Sequence, residues 1–493
     1  MSRSRVHGSG KAAKVPAGEL LDQILGDVLA TATMPYEEWH KLWPDPFTAM
    51  AIPVGGRRQY QCTQRAIDAA HTLTQQTWDA RDDLRQTMTR QAFDRVSFTA
   101  IGDAVATCRR HLPPVKSTGP VDDSFFDAMA GDYEYYLEAG SAKIRPDLDR
   151  HIPCHLFDAN QAVPAFDVGP VAFRPRGDWI ARYVLDPTVL GHVQQVESGA
   201  VSLETFRNQA FAAGSAPELT QALEVLTFLG GYGWVATLRT VGHELTRSHE
   251  KASVIVGLAI DVIGLRFHLE NARLLTKAGR QHLFHESRLA TTVAGQLLKG
   301  SSSQRAGLGA APGALAAKMR AEQSFLDQAG KVLQAYVDGR NTGKAPHLIE
   351  RWANALYWFG EARRESSDFM AVVNYGCAAD GLSGAGGKAE KMIDFADAAL
   401  NPKSEPTPAG VVSVKDSVSQ VYREGRNKLA HGEESGLFED LTRTRAIGDN
   451  LLTSLLNEVT PEIAEIIANR PQVLTVPEEH AYRALVVRLQ SRA

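Results

Sequence analysis

Apolar side chains recur at helical spacing along most of this chain, and that periodicity limits what it can fold into. At 100° per residue, Val411, Val414, Val418, Tyr422, Gly425 and Leu429 fall on one narrow stripe. Phe369, Val372, Val373, Gly376 and Leu382 define a second. Such stripes need partners, so the C-terminal half is expected to be a bundle of helices at 316–337, 346–364, 367–382, 388–400 and 411–431. A long helix over 437–469 and a tail helix within 476–493 follow. One interval breaks the pattern. Residues 151–185, rich in Val, Phe, Pro and Gly, read as short strands turning at Gly169-Pro170. The expected fold class is mainly α: a C-terminal helical bundle and a larger, mostly helical N-terminal region with a small β patch.

A chain of 493 residues exceeds one ordinary core. Composition divides it into a basic disordered tail (1–17), an N-terminal region (18–298), a Gly/Ser-rich linker (299–315), a helical domain (316–475) and the tail helix. Net charge is -4, which argues against a surface built for long nucleic acid. Cys62, Cys108, Cys154 and Cys377 form no CxxC pair, as suits a reducing compartment. Neither a signal-peptide core nor a membrane span is expected, so the sequence reads as cytoplasmic.

The stretch YREGRNKLAHGEES, residues 422–435, places Arg426 and Asn427 shortly before His431, with Gly432 behind as a helix stop. Ser413 and Asp416 resemble a capping box at the start of the same helix. Spacing alone carries no weight. Arg65/His71, Arg150/His155, Arg280/His285 and Arg340/His347 are similarly spaced, yet they fall in ordinary helices, the β patch or a loop. Only Arg426/His431 combines an adjacent asparagine, a helix-end histidine and a following helix. Asp380 lies within the apolar stripe of 367–382, where a carboxylate needs a partner, and Arg426 is the candidate. Positions five apart on an α-helix point about 140° apart. Either His431 has left the helix, or each site borrows from a second protomer.

YREGRNKLAHG resembles the RNxxxH signature of HEPN ribonuclease domains, and the preceding 355–400 resembles the matching helices of the Apea-like branch. The resemblance covers roughly 345–470; more weakly, PAFDVGPVAFRPRGDW resembles a β element of that branch. It implies a metal-independent endoribonuclease, working as a homodimer without cofactors, that leaves 2′,3′-cyclic phosphate and 5′-hydroxyl ends. Arg426, His431, Asn427 and Asp380 are the implied catalytic residues, with Asp380 where the family usually has Glu. Arg423, Lys428, Arg443 and Arg445 form a basic cluster suited to compact RNA such as tRNA. Many proteins of this branch act in bacterial anti-phage defence, which implies an N-terminal sensing region for a phage-derived trigger. The alternatives are a silent HEPN module that binds RNA or protein, and a helical interaction protein in a larger complex.

Other motifs carry less. GHELTRSHE lacks the second histidine of HExxH, because Arg247 stands there; His243 and His249 read as helix-surface or interface residues. His151, Cys154 and His155 lack a fourth ligand, and His282, His285 and Glu286 on one expected helix are a weaker set. GLSGAGGKAEK departs from a phosphate loop at Leu382 and Ala389 and reads as an interhelical loop. The Tyr133, Tyr135, Tyr136 group reads as core packing rather than a base-stacking platform.

Overall fold

A computed structural model of the chain describes residues 15–43, 50–55, 58–111, 123–212, 216–279, 284–293, 296–305, 307–339, 347–400, 412–431 and 440–491, with the backbone alone at 111, 123–126, 284–291, 297–305, 424, 430 and 431. It is mostly helical, with small sheets. No helix among the described residues is long and apolar enough to cross a membrane. The chain forms two compact units, one of residues up to Leu148 plus Thr240–Glu250, the other of Asp149–Arg239 and Lys251–Ala493.

In the first unit, α1 (Ala17–Ala32), α2 (Gln64–Ala80), α3 (Arg90–His111) and α4 (Asp123–Lys143) surround a core that includes Leu21, Ile24, Leu73, Phe93, Ile101 and Leu137. α1 begins inside the interval expected to be disordered; residues 1–14 lie outside the described residues. A hairpin of β1 (Ala51–Val54) and β2 (Arg58–Gln61), unforeseen in the sequence, pairs Ile52 with Tyr60. It lies so close to α3 that a Cβ on Gly102 would stand 1.9 Å from the Pro53 carbonyl oxygen. Tyr133 is buried between Ser97 and Thr77, within 3.0 and 3.2 Å of their hydroxyls, while Tyr135 points outward. His243 is a correction: it is buried, with Nδ1 2.7 Å from the Val241 carbonyl, and only His249 is exposed.

The second unit contains the β patch. Strands β3 (Leu148–His155), β4 (Phe166–Val168), β5 (Val171–Pro175), β6 (Trp234–Thr240) and β7 (Thr276–Lys277) make one sheet in the order β4-β5-β6-β3-β7. The turn at Gly169-Pro170 joins β4 to β5, with Gly169 at φ +57. Between β5 and β6, the helices Arg176–Tyr183, Pro187–Glu197, Leu203–Ala212 and Pro217–Leu229 share a small core around Val193, Phe206 and Leu226. Helix α5 (Leu245–Gly264) contributes the buried residues Ile255, Ile260 and Ile263 to the main core.

The bundle follows: α6 (Gln323–Gly339), α7 (His347–Arg364), α8 (Asp368–Ser383), α9 (Ala389–Leu400), the interrupted helix α10 (414–431), α11 (Thr442–Asn469) and α12 (Glu478–Gln490). One continuous core runs from Ile152 and Phe173 of the sheet through Trp352 and Tyr375 to Leu485 of α12. The boundary drawn through 299–315 is therefore corrected. Residues Leu297–Arg305 form strand β9 against β8 (Phe284–Thr291), and Leu308 N–H donates to the Leu156 carbonyl at 2.7 Å. The sheet is tied to the bundle at two glycines: a Cβ on Gly169 would stand 2.2 Å from the Gly330 carbonyl oxygen of α6. His285 and Glu286, expected on a helix, lie in β8, and His282 lies outside the described residues.

Candidate functional site

The site begins with α8, which is buried around most of its circumference. Interior glycine weakens a helix unless a neighbour must come close. Gly376 meets that condition, since a Cβ there would stand 2.4 Å from Cβ and 2.7 Å from Cγ of Arg426. Gly425 does the same from the other side, 2.5 Å from Cγ1 of Val372. These two glycines let α8 and α10 touch nearly backbone to backbone, and the contact fixes the root of the Arg426 side chain.

α10 is α-helical over Val414–Val418, π-helical over Ser419–Asn427 and α-helical again over Lys428–His431. Ser413 caps it as expected, its Oγ accepting from Asp416 N–H at 3.0 Å and donating to the Asp416 carboxylate at 2.7 Å. π turns are rare and occur frequently at functional sites. Val421 is buried here beside Tyr422, as are the expected Val418 and Leu429. The backbone at His431 is still helical, so the first option raised by the sequence, a histidine that has left the helix, does not hold. The His431 side chain and Gly432 lie outside the described residues.

Around Arg426 the polar geometry is defined. Its guanidinium carbon lies 5.4 Å from the centroid of the Tyr422 ring, a cation–π distance, and Nη1 donates to Asn427 Oδ1 at 2.9 Å. Its Nε is buried without a hydrogen-bond partner. Arg426 and Asp380 form no ion pair, which corrects the expected pairing. Asp380 instead accepts the Gly387 N–H at 2.9 Å, closing the loop between α8 and α9. That loop holds Gly384, Gly386 and Gly387 at φ +63, +60 and +84, as its glycine content implied. Both charges still act on the buried Tyr422: desolvation first, then the negative charge of Asp380, raises its phenol pKa, while Arg426 opposes them. Tyr422 was read from the sequence only as core. Its ring also carries the arginine, and its place one helical turn before Arg426 is the signal that could have shown this.

The basic cluster separates by partner. Arg423 pairs with Glu390 of α9. Arg445, expected to contact RNA, is committed to the fold: Nη1 meets Asp368 at 2.8 Å and Nη2 donates to the Glu365 carbonyl at 2.7 Å, beyond the end of α7. Lys428 is half-buried, and Arg443 is exposed on the first turn of α11. Among the described residues Arg423 and Arg445 have carboxylate partners and Arg426 has none.

The second histidine group is structural. Successive side chains on β3 alternate faces, so fully buried Cys154 points away from His151 and His155. His151 Nδ1 accepts from Trp179 Nε1 at 3.1 Å and lies 3.0 Å from Thr237 Oγ1, while His155 stacks on Tyr232. Compared with known proteins, the chain matches no family model, no curated protein and no solved structure.

Proposed function

We propose that the chain is a metal-independent endoribonuclease of HEPN type, with Arg426, Asn427 and His431 at its active site. The observation that carries this reading is the setting of Arg426: a half-buried arginine with no carboxylate partner among the described residues, held on a π-helical turn just before His431. Such an arginine offers a permanently charged, planar fork to phosphate oxygens. In the reaction, a 2′-hydroxyl gives its proton to a base and its oxygen attacks the adjacent phosphorus. The bond from phosphorus to the 5′-oxygen breaks, and that oxygen takes a proton. The products are a 2′,3′-cyclic phosphate and a 5′-hydroxyl.

An imidazole with an ordinary pKa of about 6.5 can take or give these protons near neutrality, which is the role of His431. Arg426 stabilises the extra negative charge on the pentacoordinate phosphorus. Asn427, bonded to Arg426 Nη1, orients the guanidinium. Asp380 shapes the neighbouring glycine loop through Gly387. In this proposal the complete site combines Arg426 of one protomer with His431 of its partner in a homodimer, as the family resemblance implies. RNA contact falls to Arg443, exposed on the first turn of α11, since Arg423 and Arg445 are paired. The cellular role in this proposal is anti-phage defence, with compact RNA such as tRNA as substrate and a phage-derived trigger.

The test is total-RNA integrity after induction of the wild type, Arg426→Ala and His431→Ala, repeated under phage challenge. RNA fragmentation by the wild type alone supports the reading, and intact RNA in every case refutes it. A second reading, a HEPN module that binds without cutting, is favoured by one contact: Arg426 Nη1 already has an acceptor in Asn427. It predicts RNA binding unchanged by His431→Ala and no new 5′-hydroxyl ends.

A further inference from the structure

A cleft of about 620 Å³ opens within the second unit, between residues 265–271, 308–322 and α11. Small-molecule sites commonly measure about 300–1,000 Å³. We propose that this cleft binds a mononucleotide, its phosphate toward Arg266 and Lys318 and its base toward the asparagines of α11. The assignment does not depend on the ribonuclease reading.

Charge is the first argument. Arg266, Lys318 and Arg363 line the cleft against only two carboxylates, Glu322 and Asp449. Both carboxylates are already engaged. Arg363 grips Asp449 with Nε at 2.7 Å and Nη2 at 3.1 Å, and Glu322 accepts from Arg266 Nε at 2.6 Å and Lys318 Nζ at 3.5 Å. An entering phosphate therefore meets a surplus of positive charge rather than a free acid. Lys318 is only half-buried and keeps donors available beyond its long contact with Glu322.

The polar lining is the second argument. Asn450, Thr453 and Asn457 lie at i, i+3 and i+7 on one face of α11, while Leu452, Leu455, Leu456 and Val459 of the same helix are in the core. Asn457 Oδ1 accepts from Arg266 Nη1 at 2.9 Å, and its amide N–H groups have no hydrogen-bond partner among the described residues. Asn271 and Asn450 have no side-chain hydrogen bond among the described residues. Carboxamides present a donor and an acceptor in one plane, the complement of a base edge. Leu265, Leu308 and Leu315 supply apolar wall for the base faces.

Rigidity is the third. Arg363 is almost fully enclosed, and it also donates to the carbonyls of Gly264 and Phe267 at 2.5 and 3.3 Å and to Thr453 at 2.9 Å. The cleft floor is thus preorganised, which lowers the entropic cost of binding.

The experiment is calorimetric titration of the full chain with AMP, GMP, CMP, UMP, adenosine, inorganic phosphate and a short oligoribonucleotide. At least one nucleoside monophosphate should bind saturably at one per chain and more tightly than adenosine or phosphate. Lys318→Glu and Asn450→Trp, the latter filling the cleft, should each weaken it at least tenfold. Unchanged unfolding temperatures in both variants separate lost binding from lost fold. Absence of saturable binding at millimolar nucleotide, affinity that both variants leave unchanged, or tighter binding of the oligoribonucleotide in the same cleft would overturn the assignment.

Discussion

Replacing Gly376 with alanine tests the contact that roots Arg426. A methyl group there would sit 2.4 Å from Arg426 Cβ and 2.7 Å from Cγ, about 1 Å inside ordinary carbon contact. Overpacking of this kind costs about 1–3 kcal/mol. The helix gains roughly 0.5–1 kcal/mol when interior glycine becomes alanine. The difference is a destabilisation of about 0–2.5 kcal/mol. Gly381 on the same helix provides the control, because its methyl would meet only the Ala355 backbone nitrogen at 4.0 Å, an ordinary contact. Gly381→Ala should therefore be neutral or stabilising by up to about 1 kcal/mol. Thermal unfolding of the full chain should place Gly376→Ala below the wild type and Gly381→Ala at or above it, at about 1–1.5 °C per kcal/mol for a unit of this size. Gly376→Ala should also lower ribonuclease activity more than Gly381→Ala, since the displaced atoms belong to Arg426. Equal stability of the two variants would refute the claim that α8 and α10 are held together through a glycine contact.

Removing one member of the buried Arg363–Asp449 pair should be costly. Asp449→Ala strands an arginine that is 4% exposed and takes the acceptor from Tyr375, whose hydroxyl donates to Asp449 at 2.9 Å, so a loss of about 3–5 kcal/mol is expected in denaturant unfolding. The double change Arg363→Met with Asp449→Leu should recover only part of it, because the Tyr375 hydroxyl and the Gly264 and Phe267 carbonyls also lose their partners. Burial, its largest influence, lowers the pKa of His151 below the ordinary value. Its Nδ1 accepts from Trp179, so the folded state favours the neutral ring. The unfolded chain then binds the proton more readily, and stability is full above about pH 6.5 and falls as pH drops through that value toward the folded one. Unfolding midpoints between pH 7.5 and 5 should show this slope, and His151→Gln should reduce it, leaving the part due to His155, whose pKa burial also lowers.

Much of the bundle is legible because most of its helices bury one stripe, although α8 is buried around most of its circumference. The ends of α7, α8 and α9 lie within one or two residues of where periodicity placed them. Ser413 and the Gly169 turn were readable because each demands a particular residue chemistry. Strand β6 was missed: it is almost entirely buried, so it lacks the alternation of a half-exposed strand and reads as an apolar run. The expected helix at 316–337 breaks at Glu322, which the Ala-rich sequence around it did not signal. The π turn was invisible for a related reason. Val418, Val421, Tyr422, Gly425 and Leu429 all keep α-helical spacing, so the apolar pattern does not mark the wider turn. Asp380 shows the limit of stripe arguments. Periodicity required a partner for it, but the partner is a backbone N–H of a glycine loop, and no side-chain pattern announces that.

The most direct measurement is end-mapping of RNA incubated with the purified full chain, free of added metal, beside Arg426→Ala and His431→Ala proteins of unchanged unfolding temperature. The account predicts 2′,3′-cyclic phosphate and 5′-hydroxyl ends from the wild type. It predicts their loss in both single variants, with partial recovery when the two are mixed and form dimers carrying one intact composite site. Intact RNA with the wild type, or cleavage that survives both substitutions, would contradict it.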